Sequence, residues 1–408
     1  MGDQVLAEVE MTKNQILFRP LELPCGVILK NRIAKSAMSD SLGDGTGHPT
    51  PEQIRLYQRW AHGGLAMSII GEVQTSPDFI EKPGNLVLDS NATLTPFTAL
   101  AKAGRENNSQ LWLQLGHAGA LAYAPTSEPK GPTALDLPGL ACGELSVEEV
   151  QKLPDEFAAT ALLAKEAGFG GVQIHAAHGF LLSQFLSPLF NQRRDAFGGS
   201  ISNRMRPLLE VIGACRAAVG PNFPIAVKLN SSDQLEGGLD NDDALMVVSA
   251  LDQSSIDLLD ISGGTYFPGA KAASDGGGRG LYFIKFAHEA RRFTSKPIML
   301  TGGFKTYHQA EEAVAGGAVD MVGLARAMVL EPNLPNLWQE GKISNLAFPR
   351  FAESPEGGIT AWFTMRLTDI GTDSESQEPG DLRSAITEYE KRDSERTRVW
   401  LKHFRKIS

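Results

Sequence analysis

Cysteine is scarce in this chain. Three thiols, Cys25, Cys142 and Cys215, are scattered through 408 residues. That is too few for a disulfide framework or a four-thiolate zinc or iron–sulfur site, and it suits a reducing compartment, which predicts a cytoplasmic protein. Long apolar runs are lacking too. No stretch approaches the ~20 consecutive apolar residues needed to cross a bilayer, so no membrane partner is expected. The opening stretch, MGDQVLAEVEMTKNQILFRP, carries acids and no continuous apolar core, unlike a secretory leader. Positive charge is also short: 38 Lys and Arg stand against 48 Asp and Glu, a net charge of −10. This argues against nucleic acid or an acidic membrane surface as the main partner. Charge alone does not select a function; a small-molecule substrate stays open.

Glycine is plentiful, at 42 residues, and hydrophobic residues make up 42%. The first fits many tight turns, the second a sizeable core. Between residues 30 and 330 short β-rich runs alternate with amphipathic stretches. Strands are predicted at Arg32–Ser36, Leu65–Ile70, Gln110–Gln114, Gly171–His175, Pro224–Leu229, Leu258–Ser262, Ile298–Thr301 and Met321–Gly323. Helices are predicted at Pro51–His62, Thr95–Asn107, Val147–Ala167, Asn203–Val219, Asp242–Ser254, Leu281–Arg292 and Tyr307–Ala315. This order predicts an α/β chain folded as a (β/α)8 TIM barrel. A doubly wound sheet would prefer a glycine-rich turn straight after its first strand. Here that strand is followed by the long polar loop AMSDSLGDGTGHPT.

The barrel is expected over residues 1–340 and a C-terminal extension over 341–408. Within the extension ESPEGGITAWFTMRL reads as irregular, and DLRSAITEYEKRDSERTRVWLKHFRKIS as a charged helix. Trp400 and Phe404, four apart, give that helix one apolar face. It can dock on its own barrel or on a second copy in a homo-oligomer.

Barrel enzymes carry their working groups at the C-terminal ends of the strands. His175 and His178 follow the fourth strand, three apart. In a continuing strand they would point to opposite faces, so they converge only if the chain turns after His175. They suit a core position, a metal site or a carbonyl-oxygen clamp. No carboxylate or thiolate third ligand is evident, which makes the metal signal weak, and no metal is expected. Lys228, in IAVKLN, is costly inside a strand unless it meets an anion or a partner. Gln114 ends the third strand and reads as a satisfied polar residue or a ligand contact. TGGF at 301–304 and GLARAM at 323–328 offer backbone amides and Arg326, the parts of a phosphate cradle. Gly302 and Gly303 alone would equally make a tight turn.

Taken together, NRIAKSAM, LQLGHAG, IHAAHGFLLSQFLSPLFNQRRDAFGGSISNRMRPLLEVI and GLAR resemble the Old Yellow Enzyme family of FMN-dependent ene-reductases. The likeness covers most of the chain before residue 335. It implies one FMN across the barrel mouth, reduced by NADPH or NADH. Ser36, Ala37, Met38 and Ser39 match the segment along the flavin. Ile70 or Gly71 matches the contact from the second strand, and Gln114 the side chain reaching the pyrimidine edge. Lys228 matches the cation beside flavin N1 and O2, where reduction places negative charge. Gly302, Gly303, Ala325 and Arg326 match the phosphate end. His175 and His178 match the pair that holds the substrate's carbonyl oxygen. The implied reaction reduces activated C=C bonds of α,β-unsaturated carbonyl compounds or nitroalkenes.

The sequence departs from the family in three places. Phe180 stands where a proton-donating tyrosine is usual, beside the substrate. That leaves Tyr266 and Tyr123 as candidate acids, or solvent. Ser39 stands where relatives use threonine or cysteine, and Ala120 replaces an arginine common after HAG in part of the family. Larger relatives add an iron–sulfur cluster and a second flavin domain, for which three cysteines and this tail do not suffice. Two other classes remain: a catalytically impaired FMN or metabolite binder, suggested by Phe180, and a flavin-free lyase or isomerase on a phosphorylated substrate, with Lys228 as base or Schiff-base amine.

Overall fold

Eight parallel strands close on themselves in the computed structural model of the chain, which describes residues 15–267, 270, 280–351, 355–375 and 380–406. They are β1 (Ile33–Lys35), β2 (Met67–Gln74), β3 (Gln110–Gly116), β4 (Gly171–Ala176), β5 (Ile225–Asn230), β6 (Leu258–Ser262), β7 (Ile298–Thr301) and β8 (Met321–Leu324). Each pairs with its successor, and β8 returns to β1 through Val322↔Ile33 and Gly323↔Ala34. The architecture is the (β/α)8 barrel that the alternation predicted. The opening stretch read above for a leader falls largely outside the described residues.

Side chains alternate across each strand, so the inner face can be followed upward in layers. The floor is apolar: Ala34, Met67, Trp112, Ala226, Leu258, Met299 and Met321 form one buried cluster with Leu21 and Leu29 of the small hairpin Leu21–Glu22/Ile28–Leu29. Gly171 shares this floor because a Cβ there would fall 2.6 Å from the Trp112 ring. Two residues further along, the inner face becomes polar: Ser36, Gln114, Gln173, Lys228, Asp260 and Thr301 are all buried. The outward positions pack under the helices in a larger core.

β2 runs on to Gln74 instead of stopping at Ile70. The reason is a bulge: its pairing with β3 shifts between Ile70 and Val73, and Glu72 within it takes φ 62°. An extra residue in one strand re-aims the side chains beyond it.

Helix α1 (Pro51–His62) forms as expected, with Thr50 capping Gln53 N–H and Pro51 in the first turn. Helix α2 (Val147–Glu166) starts at a Ser146/Glu149 capping box. The helix expected over 203–219 is instead a turn at Ile201–Arg204 followed by α3 (Arg206–Val219). Pro207 lacks an N–H, so it is best accommodated in the first turn, where none is needed. The helix expected to reach Asn107 ends at Gly104, because Asn107 and Asn108 adopt φ 51° and 56°.

After β8 comes the short α4 (Arg326–Leu330). The segment read as irregular contains a helix, α5 (Gly358–Gly371), which buries Trp362, Phe363, Leu367 and Ile370. It docks on α1, where Arg55 donates to the Gly371 carbonyl at 2.7 Å. The last helix, α6 (Leu382–Phe404), lies on the loop after β2: Trp400 is fully buried against Ile80 and Val87, and Arg405 pairs with Asp78 at 2.6 Å. Among the described residues no helix is long and apolar enough to cross a membrane.

Candidate active site

β4 ends at Ala176, and the chain turns at once. His178 takes φ 61°, and its backbone N–H donates to Asn230 Oδ1 at 3.1 Å. The turn brings the rings of His175 and His178 edge to face, with centroids 5.2 Å apart. His178 Nε2 is 2.8 Å from Ser262 Oγ at the end of β6. His175 is 2% exposed, and neither of its ring nitrogens has a hydrogen-bond partner among the described residues. The carboxylate nearest it is Glu72, with Oε1 3.4 Å from Nε2.

Burial, reinforced by the Lys228 charge, holds the His175 imidazole well below the usual histidine range. Burial also lowers His178, followed by the influence of His175 and Lys228. Both rings are therefore neutral at ordinary pH, each with one N–H and one lone pair. Burial acts on Glu72 in the opposite sense. It pushes the carboxyl up to about 8, against the pull of Lys228.

Beneath the pair a hydrogen-bonded chain crosses the barrel. Gln114 donates to Gln173 Oε1 at 2.7 Å, and Gln173 donates to Asp260 Oδ2 at 3.0 Å. Thr301 donates to Asp260 Oδ1 at 2.7 Å and lies 2.8 Å from Ser36 Oγ. Lys228 Nζ completes the set, 3.1 Å from Asp260 Oδ2. Of these groups Ser36, Gln114 and Lys228 are the ones expected from the sequence; Gln173, Asp260, Thr301 and Glu72 are not. Alternation would have found the first two. Gln173 sits two residues before His175 on β4, and Asp260 lies directly opposite Lys228, both on the inward face of otherwise apolar runs. Glu72 had no such signal, because the bulge breaks the period.

The remaining candidates divide by position. Gly71 lies against the end of β1, where a Cβ would fall 2.4 Å from the Met38 backbone. Ile70 instead packs outward in the helix-side core. Ala37, Met38 and Ser39 are half-buried, and Ser39 Oγ is buried without a partner among the described residues. Gly302 and Gly303 adopt φ 121° and 87°. A Cβ at 303 would fall 2.2 Å from the Gly280 carbonyl. Ala325 precedes α4, and the Arg326 guanidinium stacks 5.1 Å from the Phe363 ring centroid.

Phe180 is buried against the His175 ring, centroids 4.9 Å apart. Tyr266 lies over the rim, 61% exposed, with its ring 5.8 Å from that of His178. Tyr123 is placed elsewhere, in the cluster of Trp400, Phe404, Ile80 and Val87 under α6. No group of three metal-ligating side chains occurs among the described residues.

A mouth of this build, with two neutral imidazoles above a buried lysine and a glycine–arginine end, suits the flavin-dependent class of barrel oxidoreductases. The chain belongs to the NADH:flavin oxidoreductase / NADH oxidase family, whose family model matches residues 16–345. It is 34% identical over 351 residues to the NADH-dependent flavin oxidoreductase iliE of Hypocrea jecorina (strain QM6a), covering 78% of this chain and 87% of that protein. It is 30% identical to the NADPH dehydrogenase of Bacillus subtilis (strain 168), covering 78% and 92%. Among solved structures it resembles 2-naphthoyl-CoA reductase with TM-score 0.76 and 27% identity, covering 80% of this chain and 52% of that one. Against that protein the chain therefore spans about half the length. It also shares the fold of an old yellow enzyme homologue from Zymomonas mobilis, with TM-score 0.71, 23% identity and coverage of 84% and 98%. The family's cofactors are FMN and a nicotinamide reductant, NADH or NADPH.

The residues present fit FMN. The unpartnered Ser39 Oγ and His175 nitrogens are polar atoms that a bound group would satisfy. Gly302 and Gly303 hold positive φ, and a Cβ at 303 would fall 2.2 Å from the Gly280 carbonyl, so the backbone there stays open to a close-lying group.

Proposed function

We propose that this protein is an ene-reductase: it reduces the C=C bond of α,β-unsaturated carbonyl compounds or nitroalkenes with electrons from NADPH or NADH. The observation that carries this reading is the convergence of two neutral imidazoles at the barrel mouth, one of them buried with both nitrogens unpartnered. When bound, FMN would supply the hydride-transfer chemistry between nicotinamide and alkene. His175 and His178 orient N–H groups toward the carbonyl or nitro oxygen, where charge develops as the β-carbon receives hydride. Lys228, held by Asp260, would sit beside the flavin's pyrimidine edge. Gln114 would reach the same edge, Ser36 to Ser39 and Gly71 would line the flavin, and Gly302, Gly303, Ala325 and Arg326 would hold its phosphate. Phe180 walls the substrate space.

Two features argue against a flavin-free lyase using Lys228 as its amine: the family membership, and the ion pair that ties this lysine to Asp260. Purified protein should be yellow and release FMN on acid precipitation. Anaerobic NADPH or NADH should bleach it, and a cyclic enone or nitroalkene should restore the colour. A bleached enzyme that no such alkene reoxidises would refute the reading.

A further inference from the structure

The ene-reductase reading leaves one proton unassigned, because Phe180 cannot donate. We propose that Glu72 supplies it by acting through His175, at the oxygen end of the substrate instead of at the α-carbon. The inference rests on that reading and extends it.

Three observations place an acid here. Glu72 and His178 both hold left-handed backbone, φ 62° and 61°, at the rim of the same mouth. Such strain in non-glycine residues persists where the surroundings enforce it and clusters at functional sites. Second, Glu72 Oε1 approaches His175 Nε2 at 3.4 Å with both side chains buried. Third, the Gln74 amide is better satisfied with its nitrogen toward the Phe79 and Gly116 carbonyls, at 3.2 and 3.1 Å. Its oxygen then faces Glu72 Oε2. A carboxylate there would meet an acceptor, whereas a protonated carboxyl meets a partner.

The ionisable groups facing Glu72 are Lys228 on β5 with Asp260 on β6, and Glu81 in the loop after β2, itself pushed up to about 7 by burial and then by Glu72. β4 and the turn after it contribute His175 and His178, both neutral. β3 contributes the uncharged Gly116, where a Cβ would lie 3.1 Å from Oε2. Lys228 favours the carboxylate, but its own partner Asp260 offsets that charge, and burial prevails.

The step balances as follows. Hydride forms a C–H bond at the β-carbon, and the π electrons of the C=C shift to leave a negative charge on the carbonyl oxygen. The His175 N–H facing that oxygen gives up its proton and an O–H bond forms. Glu72 passes its proton to Nε2, so the imidazole stays neutral and Glu72 becomes a carboxylate. The enol returns to the ketone by exchange with water, which places a proton on the α-carbon and removes one from oxygen. Nε2 then returns its proton to Glu72 as solvent protonates the other ring nitrogen, which restores the starting tautomer. The nicotinamide supplies both electrons, and water supplies the proton overall.

Stopped-flow reoxidation of the reduced holoenzyme by 2-cyclohexenone, between about pH 6 and 10, tests the relay. The wild-type rate should fall tenfold per unit above about 8. Glu72→Gln should be about 10²-fold slower near neutrality and lose that limb. Glu72→Asp, still an acid, should keep the limb. Reduction by the nicotinamide should change less than twofold in both. Infrared titration is a second readout, independent of turnover. Wild type should lose a protonated-carboxyl C=O band on passing about pH 8, and Glu72→Gln should lack that band throughout. Glu72→Gln with the wild-type rate and limb, or wild type without the band, overturns the relay while the ene-reductase reading stands. If Glu72→Gln does not hold flavin, the Glu72→Asp profile and the wild-type band decide. An enzyme that nicotinamide reduces but no alkene reoxidises at any pH overturns the reading, and the relay falls with it.

Discussion

Lys228 and Asp260 form a fully buried ion pair inside the barrel, Nζ to Oδ2 3.1 Å, on neighbouring strands β5 and β6 in direct register. Thr301 and Gln173 also donate to that carboxylate, so its lone pairs are largely used. Removing one member of such a pair strands the other charge. Asp260→Asn should therefore destabilise the fold by about 3–5 kcal/mol. Denaturant titration of the variant, with Lys228→Met/Asp260→Leu alongside, measures this. The double variant should be the more stable of the two, because it leaves no lone buried charge.

His175→Ala and His178→Ala should each weaken binding of a phenol, whose oxygen mimics the developing enolate, by about 10–100-fold, the loss of one charge-assisted hydrogen bond. Flavin absorbance changes on titration with a substituted phenol report this directly. Nicotinamide reduction should suffer less. An unchanged phenol spectrum in both variants would rule out the clamp.

Phe180→Tyr should raise the enone rate by up to about 10²–10⁴-fold if its hydroxyl reaches the α-carbon. The nitroalkene hydride step should stay nearly constant, since that anion is stable without immediate protonation. Phe180 is buried beside Ala118 and Ala122, so an unpaired hydroxyl there would cost about 1–3 kcal/mol. Tyr266→Phe tests the exposed rim tyrosine in the same assay. Tyr123→Phe should do nothing to the rate, because that ring packs with Trp400 under α6.

Lys35 is fully buried with no hydrogen-bond partner for Nζ among the described residues. It lies over the Trp60 ring at 4.5 Å and the Tyr57 ring at 5.6 Å. Burial drags its amine down to about 7. A lowered folded value means that the folded state binds fewer protons, so this group's contribution favours folding above its unfolded range near 10.5 and is lost as pH falls towards 7. Lys35→Met should flatten that slope and stabilise the protein at neutral pH by roughly 1–3 kcal/mol. Glu72 has the opposite sign: its raised value favours folding below about 4.5 and is lost as pH rises through about 8. Melting temperatures of Lys35→Met and wild type across this range separate the two.

Trp400→Ala removes a fully buried indole from the seam between α6 and the β2 loop. A loss of about 3–5 kcal/mol is expected, read as a lower melting temperature. An unchanged melting temperature would show that α6 contributes nothing to the stability of the barrel.

The strand and helix alternation, the barrel class and most of the mouth were legible in the sequence. Short β-branched runs, capped amphipathic helices and the stretch around His175 and His178 are local signals, and local chemistry sets them. Thr50 before Pro51 starts α1, and Pro207 restarts α3, without help from the rest of the chain. Alternation along β4, β5 and β6 also determines that Gln173, Lys228 and Asp260 face inward, although only the His175/His178 pair was read that way from the sequence.

Tertiary structure decided the rest. The bulge that turns Glu72 toward His175 is a register shift of β2 against β3 between Ile70 and Val73, and nothing within IIGEVQ announces it. The helix at Gly358–Gly371 buries Trp362, Phe363, Leu367 and Ile370 by packing on both α6 and α1; the isolated segment, with its proline and glycines, signals only a break. Tyr123 and Tyr266 looked equivalent as acids until packing put one under α6 and the other beside His178. Residue type and spacing fix which groups a chain owns. Which two of them share a proton depends on distances across the barrel, between strands far apart in sequence, and only closure of the sheet sets those.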